Sequence, residues 1–350
     1  MNLPYRTRRI LRRVGITLGV VLAVTLVVWM CWVVWLQRYV VYTDDGVRLD
    51  FEYSSYGIAG QVAEPPKAEQ NVSIFFNEGA DAIDTVNEMT QLNGYYITNE
   101  MCKNDLEQVK TWVERLPSGT PVMIDMKGPY GSFFYKSNLG DSIVSASTNI
   151  DAVSTLVQRM RAKGLYTIAK VSAFRDYNFG LNHVSSGLYM LSRIGLWPDS
   201  ENMYWLDPTN PTTTSWVTSV VVELRDMGFN EVLLTDFCFP DSNQYIFDGN
   251  KELAIQEAAV KINDAVASDT FTLGFAVNTP AFPLPEGRCR LYVSGVDPSQ
   301  VEARAAASGL EDPTVQMVFL SETADSRYDK YGVLRSIMVS EEVEARKGNA

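Results

Sequence analysis

The chain has 350 residues, of which 46% are hydrophobic and 11% aromatic, enough for one large domain or two ordinary ones with a packed core. Its net charge is −12, although five arginines lie within the first 13 residues and leave 25 basic against 42 acidic residues elsewhere. A body this acidic argues against nucleic acid as a partner. One histidine excludes a multi-histidine metal site, and four widely spaced cysteines make neither a disulfide framework nor a zinc motif.

The N-terminal region is predicted to anchor the chain in a membrane. Residues 15–36 are uncharged and apolar over the length of one bilayer-spanning helix. The arginines precede this stretch and only Arg38 closely follows it, which predicts a cytoplasmic N-terminus and an extracellular remainder at the cell membrane. The alternative, a cleaved signal peptide, is disfavoured because the run is long for one and no small-x-small site closely follows. We therefore predict a basic cytoplasmic tail at 1–14 and a signal anchor at 15–36.

Residues 37–93 are predicted to form a juxtamembrane hairpin, a linker and an N-terminal extension of the following domain. Apolar runs at 40–43 and 47–51 flank Asp44-Asp45-Gly46, a strong turn signal, and so predict a β-hairpin. Residues 61–70 contain Pro65-Pro66 and are typical of a linker. A strand is predicted at 71–76 and a helix at 80–92.

From residue 94 onward, strand-like runs alternate with helical stretches. Strands are predicted at 95–98, 122–126, 166–171, 231–235, 271–277, 291–294, 314–320 and 333–339. Helices are predicted at 105–116, 150–163, 214–227, 251–267 and 298–308. This alternation indicates an α/β fold with a parallel sheet, and eight strands in about 250 residues favour a (β/α)8 TIM-like barrel at 94–350. A doubly wound open sheet is the alternative, although no Gly-x-Gly-x-x-Gly follows the first strand.

Polar residues follow the carboxyl ends of these strands, which converge on one rim in a barrel. They are Asp125, Lys127, Lys170, Arg175, Asp176, Asp236, Asn278, Asp297 and Glu322. The 40-residue connection at 172–211 adds Trp205 and Asp207 and is too long for a plain loop. Carboxylates mixed with aromatic rings suit a carbohydrate, since acids bind hydroxyl groups and rings cover the apolar faces of a sugar. Alternatively, Asp125–Lys127 and Arg175–Asp176 are ion pairs that close the barrel mouth.

Asp236 is the residue on which the functional prediction depends most. It comes two residues after the short apolar run at 232–234 and precedes a proline by four residues. A carboxylate at the end of a buried parallel strand is well placed to meet a substrate. The alternative is that Asp236 caps the next helix or turn.

Several other classes of site are excluded by missing motifs. The chain has no Gly-x-x-x-x-Gly-Lys-Ser/Thr phosphate loop and no Gly-x-Ser-x-Gly elbow. Its one histidine, His183, lies in a polar loop, so a serine–histidine hydrolase is not expected. We expect no cofactor and no metal.

Four motifs resemble, in order and spacing, a family of proteins with a glycoside-hydrolase-like TIM-barrel domain, long catalogued as a domain of unknown function. They are 122–127 with Tyr130-Gly131, 162–171 with Phe174-Arg175-Asp176, Trp205-Leu206-Asp207-Pro208, and 228–232 with Phe239-Pro240. The hairpin at 40–46 resembles a segment of membrane-anchored members from Gram-positive bacteria. The resemblance covers about 94–340 and implies a barrel that acts on a carbohydrate.

The fourth strand departs from the pattern of this family, which usually ends in Phe-Asp-Tyr-Val-Arg-Phe-Pro. Aligned on Phe239-Pro240 without a gap, Thr235 takes the position of the acid and Asp236 that of the tyrosine. A shift of one residue, as a bulge near Leu234 would give, makes Asp236 the acid instead. The arginine of the family is absent in either alignment.

The sequence therefore carries two hypotheses. The first is a membrane-anchored extracellular glycoside hydrolase acting on a cell-wall or extracellular polysaccharide, with Asp236 as nucleophile or base and Asp125 or Glu322 as the acid. The glycan would be held by Lys127, Lys170, Arg175, Asp176, Trp205 and Asp207. The second is a barrel that has lost its acid pair and serves as a glycan-binding or scaffold module at the cell surface.

Overall fold

The computed structural model describes residues 89–337, the segments 40–43 and 46–49, and the single residues Thr25 and Trp29. The chain divides into two compact units, 1–80 and 81–350. In the first unit, β1 (Val40–Thr43) and β2 (Gly46–Leu49) pair antiparallel with Thr43 opposite Gly46, which confirms the predicted hairpin. The predicted anchor at 15–36 lies, apart from Thr25 and Trp29, outside the described residues. Within the part that is described, no helix is long and apolar enough to cross a bilayer.

The second unit is built on a parallel β-sheet. Its strands are β3 (Asn93–Ile97), β4 (Pro121–Lys127), β5 (Ser132–Phe133), β6 (Ile143–Val144), β7 (Tyr166–Ser172), β8 (Glu231–Thr235), β9 (Thr272–Phe275), β10 (Cys289–Ser294), β11 (Met317–Ser321) and β12 (Gly332–Ser336). All except β5 and β6 form one closed ring of eight parallel strands, because β3 pairs with both β4 and β12. The barrel prediction is confirmed, and the open doubly wound sheet is excluded.

Helices connect most of the barrel strands. They are α1 (Asn99–Asn104), α2 (Leu106–Arg115), α3 (Ile150–Ala162), α4 (Tyr177–Asn182), α5 (Pro211–Asp226), α6 (Lys251–Val266), α7 (Val301–Ala306) and α8 (Pro313–Gln316). The long helix α5 begins at a polar cap, where the Asn210 side chain accepts a hydrogen bond from the Thr212 amide, and Gly228 follows its end at φ +89°. The predicted strand at 314–320 begins later, at Met317, because the Asp312 cap and Pro313 start α8 there.

The core has two layers. Side chains of alternate strand residues fill the inside of the barrel, and the opposite faces of the strands pack against the helices. The inner cluster comprises Leu92, Met123, Ile168, Leu233, Tyr292, Val318 and Leu334. This alternation also determines which polar side chains reach the mouth, since Asp125 and Lys170 lie two residues beyond Met123 and Ile168 on the same faces.

A buried polar network closes the amino-terminal floor of the barrel. Arg290 Nη1 lies 2.5 Å from Glu231 Oε2, and both side chains are essentially inaccessible to solvent. Tyr166 and Tyr292 donate hydroxyl hydrogen bonds to the two oxygens of Glu231, at 2.9 and 2.5 Å. Gly274 leaves room for this network, because a Cβ there would lie 2.7 Å from the Tyr292 ring. A buried charge pair needs such additional hydrogen bonds to offset its desolvation.

The predicted helix at 80–92 does not extend through its last four residues, which are irregular; residues 80–88 lie outside the described residues. The carbonyl of Thr90 instead accepts a hydrogen bond from Arg290 Nη2 at 2.7 Å. The Gln91 side chain donates to the carbonyls of Asp329 and Tyr331, and Leu92 is buried inside the barrel. Tertiary hydrogen bonds to the barrel floor thus replace helical ones here.

Candidate active site

Two adjoining cavities open at the carboxyl end of the barrel, and Thr98, Asp125 and Lys170 line both of them. The first, called here the β8-side cavity, has a volume of about 610 Å³ and is also lined by Thr235 and Asp236. The second, the β11-side cavity, has a volume of about 480 Å³. Its further lining includes Tyr96, Met123, Leu320 and Glu322. All three predicted acid residues therefore reach this mouth.

Asp125 and Lys170 form an ion pair between the two cavities. They are register partners on β4 and β7, and Lys170 Nζ lies 3.0 Å from Asp125 Oδ1. The other carboxylate oxygen accepts a hydrogen bond from the Asn99 amide at 2.9 Å. The side chains are 18% and 31% exposed, so the pair remains in reach of a ligand. Both oxygens of Asp125 are thus already engaged by donors of the protein.

Asp236 faces the mouth because of its backbone conformation. β8 pairs regularly with β7 as far as Ser172 and Thr235, without the expected bulge near Leu234. Asp236 then adopts the left-handed conformation, with φ +51°. In a continued strand, successive side chains would face opposite sides, but the left-handed residue breaks that alternation. Thr235 and Asp236 therefore line the same cavity. An acid is present there whichever of the two alignments with the family pattern is used.

Within residues 89–337, the carboxylate of Asp236 makes one hydrogen bond, which it accepts from Ser172 Oγ at 2.6 Å. Among the described residues it has no ion pair, and α6 is capped by Asn250 and not by Asp236. Burial, and then the charge of Asp236, raise the pKa of the neighbouring Cys238 thiol to about 12. Within the described part of the chain, Asp236 is consequently a half-buried carboxylate that is held by one hydrogen bond and by no ion pair.

Glu322 follows β11 and is exposed in the wall of the β11-side cavity. Within the described part of the chain it takes part in no ion pair. Tyr96 lines the same cavity, and burial, and then the charge of Glu322, raise the pKa of this tyrosine. Asp236 and Glu322 thus lie in different cavities, on either side of the Asp125–Lys170 pair.

Lys127 and Asp176, both expected to hold a glycan, form a buried ion pair instead. Lys127 Nζ lies 2.8 Å from Asp176 Oδ2, and each side chain is 1% exposed. The register of β4 on β7 shifts between Asp125 and Lys127, which takes Lys127 out of line with Asp125. Asp176 also caps α4 through the Phe179 amide and accepts a hydrogen bond from Trp216 Nε1. The pair considered at the sequence level, Asp125–Lys127, is therefore not the one that forms.

Arg175, Trp205 and Asp207 line neither mouth cavity. Arg175 forms ion pairs with Asp199 and Glu201, at 2.7 and 2.9 Å, and not with Asp176. Trp205 is 8% exposed, lies under the Arg175 guanidinium and donates to Asp199.

Asp207 lines a separate cavity of about 420 Å³ and caps the turn at Thr209. Asn278 donates to the Phe239 carbonyl, and Asp297 caps a short 3-10 turn at Ser299. Within the described residues, no three histidine, cysteine or acidic side chains come together in a way that could hold a metal ion.

Sequence reasoning missed the contributions of Tyr96, Thr98, Asn99 and Ser172. Tyr96 and Thr98 alternate with the buried Ile97, so their inward direction was available from the strand pattern of β3. The role of Asn99 is carried by its backbone amide, which a sequence pattern does not reveal. Ser172 is the last residue of β7, and its contact with Asp236 depends on the left-handed turn after the neighbouring strand.

Comparisons with known proteins bear on this site. The model of a family described as a "putative glycosyl hydrolase domain" matches residues 94–272, just over half of the chain, whereas the resemblance was expected to reach about residue 340. No curated protein matches the sequence significantly.

Solved structures give distant matches. A hypothetical protein from Ruminiclostridium thermocellum is 18% identical, with a TM-score of 0.45 over 51% of this chain and 96% of that one. TtGalA, an α-galactosidase from Thermus thermophilus, is 11% identical, with a TM-score of 0.45 over 74% of this chain and 62% of that one. An exo-β-N-acetylglucosaminidase from Vibrio harveyi is 8% identical, with a TM-score of 0.44 over 67% and 42%. The matched region spans less than two thirds of either glycosidase.

Proposed function

Because this chain belongs to the glycosyl hydrolase domain family whose model matches residues 94–272, we propose that it hydrolyses a cell-wall or extracellular polysaccharide at the barrel mouth. The observation that carries the proposal is the conformation of Asp236, whose φ of +51° directs a carboxylate into a cavity shared with Asp125 and Lys170. Non-glycine residues in this conformation are uncommon and are concentrated at functional sites. The charge pattern around 15–36 supports an extracellular, membrane-anchored location for the barrel.

The contacts of the three acids support a different role for each. Asp125 is engaged by Lys170 and the Asn99 amide, so it is a poor candidate for a group that must carry and release a proton. Asp236 is the nucleophile or base, and Glu322, in the adjoining cavity, is the proton donor to the leaving oxygen. The Asp125–Lys170 pair lies between them and binds sugar hydroxyl groups, since it offers both an acceptor and a donor.

The proposed reaction uses these two carboxylates in succession. Glu322 protonates the glycosidic oxygen as the bond to the anomeric carbon breaks, and the positive charge that develops on the ring is stabilised by Asp236. Asp236 either attacks the anomeric carbon, forming a glycosyl-enzyme that a water deprotonated by Glu322 then hydrolyses, or removes a proton from a water that attacks the anomeric carbon itself. Carboxyl groups about 5–5.5 Å apart give the first, retaining course, and about 6.5–9.5 Å the second, inverting one.

A second candidate function is a glycan-binding or scaffold module without hydrolytic activity. One specific observation favours it: Asp125 is already paired with Lys170, so the shared wall of the two cavities holds a fixed ion pair and not a free acid. A sugar could be held there by hydrogen bonds alone.

Hydrolysis assays on the glycans selected by an array distinguish these functions. Wild-type protein is expected to release product from at least one of them, and binding without product would favour the second candidate.

The variant Glu322→Gln tests the role of Glu322 as the proton donor. General acid catalysis contributes about 10²–10⁴-fold, so this variant should lose about that much on substrates with poor leaving groups. It should lose far less on p-nitrophenyl glycosides, whose leaving group needs no proton. Equal losses on both substrates would contradict the role of Glu322.

A further inference from the structure

Tyr130 is a large aromatic side chain that remains 49% exposed beside the mouth of the barrel. It follows Pro129, which lines the β8-side cavity. An exposed aromatic ring next to a candidate active site calls for an explanation, because most large rings between residues 89 and 337 are buried. Trp205, the aromatic residue expected to contact a sugar, is one of the buried ones.

The backbone that carries Tyr130 is held on both sides. The Gly131 amide donates to the Gly128 carbonyl at 2.9 Å and closes a tight turn. The amides of Tyr177 and Asn178, at the start of α4, donate to the carbonyls of Pro129 and Tyr130. Gly131 has φ +77°, and a Cβ there would lie 2.1 Å from the buried Asp176 carboxylate. The turn is therefore packed directly on the buried ion pair described above.

The ring of Tyr130 is the exposed end of a stack of three tyrosines. It lies 4.8 Å from the ring of Tyr177 at an interplanar angle of 15°. The ring of Tyr177 in turn lies 5.0 Å from that of Tyr204 at 7°. One face of Tyr130 is thus covered by the ring of Tyr177, which is itself backed by the ring of Tyr204. A side chain fixed in this way loses little conformational entropy when a ligand covers its other face.

We propose that the free face of Tyr130 is a saccharide-binding subsite that takes a pyranose ring of an oligosaccharide extending out of the β8-side cavity. This inference rests on the proposed function, and the ligand that we propose for the subsite is a neutral glycan. The apolar C–H face of a sugar packs on an aromatic ring, and the ring needs no charge to hold it. A neutral glycan suits a chain in which 42 acidic residues outnumber 30 basic ones, since an anionic polymer would be repelled.

Calorimetric titration with neutral cello-, chito- and malto-oligosaccharides of two to six residues tests the subsite. Asp236→Asn serves as the parent protein, so that the ligand is not consumed. On that parent, Tyr130→Ala should weaken binding of the hexasaccharide about tenfold, the size expected for one lost ring contact, and leave the disaccharide unchanged. Tyr130→Phe keeps the ring and should bind like the parent. Val260→Ala on α6, which removes an equally exposed apolar side chain, is the control.

The outcomes separate this subsite from the hydrolytic function. Unchanged hexasaccharide binding by Tyr130→Ala, or no binding of any of these oligosaccharides by wild type and parent, overturns the subsite. If the parent binds in a Tyr130-dependent manner but wild type hydrolyses none of the oligosaccharides, the subsite is supported and the hydrolase proposal fails. Loss of binding by Tyr130→Phe as well would show that the hydroxyl group acts and that stacking does not.

Discussion

At the residue scale, the backbone conformation of Asp236 brings its own carboxylate to the barrel mouth. Because its backbone is left-handed, Asp236 lines the same cavity as Thr235. In a regular strand the two side chains would point to opposite faces of the sheet. Two neighbouring residues, Ser172 and Cys238, interact with the Asp236 carboxylate. Ser172 donates a hydrogen bond to it, and its charge adds to the burial that raises the pKa of Cys238.

The reactivity of Cys238 should report the position of this carboxylate. Burial and then Asp236 raise the pKa of the thiol to about 12, so little thiolate is present at pH 8 and alkylation by iodoacetamide should be slow. Cys31→Ser first removes the thiol of the predicted anchor. In that background, Asp236→Asn removes the carboxylate charge and should speed the alkylation of Cys238. Glu322→Gln, which neutralises a carboxylate of the other cavity, should not. Equal rates in both variants would contradict the described orientation of Asp236.

The buried pair of Lys127 and Asp176 should contribute to stability. Asp176→Asn leaves the Lys127 charge buried without its partner, and we expect the free energy of unfolding to fall by about 3–5 kcal/mol. Urea denaturation followed by circular dichroism measures this change. The double variant Lys127→Met, Asp176→Asn should recover part of the loss, because it leaves no buried charge. A single variant as stable as wild type would contradict the burial of this pair.

At the element scale, the floor of the barrel should make the protein sensitive to alkaline pH. Burial, and then Glu231, raise the pKa values of Tyr166 and Tyr292 above the ordinary 10.0. Above pH 10 the unfolded chain loses these protons while the folded barrel keeps them. Stability is therefore full below pH 10 and should fall by about 1.4 kcal/mol per pH unit for each tyrosine as the pH rises. Denaturation series between pH 9 and 11 measure the slope. Tyr166→Phe should make it shallower, and an unchanged slope would contradict the prediction.

Elements with a clear period were predictable from the sequence, whereas the contacts at their ends were not. The apolar run before Asp236 predicted β8 with its observed bounds, and the periodicity after Asn149 predicted α3 within one residue. The inward direction of Asp125 and Lys170 follows from alternation in β4 and β7. The pairing of Lys127 with Asp176 and the burial of Trp205 could not be predicted, since both depend on partners far away in the sequence. The orientation of Asp236 depends on one dihedral angle that no periodicity encodes.

At the scale of the whole molecule, the sequence predicts a barrel on the outer side of a membrane. The motivation is the arginine cluster before residues 15–36, together with the scarcity of basic residues just after them. Protease added to intact protoplasts should digest the barrel and leave a small protected N-terminal fragment. Detection of the barrel with an antibody measures this. Full protection of the barrel, with digestion only after lysis, would contradict the proposed location.

The central claim is that the carboxylate of Asp236 takes part in glycoside hydrolysis at the barrel mouth. Its most direct test compares the wild-type protein with Asp236→Asn in two assays on the same oligosaccharide, one for hydrolysis and one for binding. We expect the variant to fold and bind as wild type does, while its rate of hydrolysis falls to background. Hydrolysis by Asp236→Asn at the wild-type rate would contradict it.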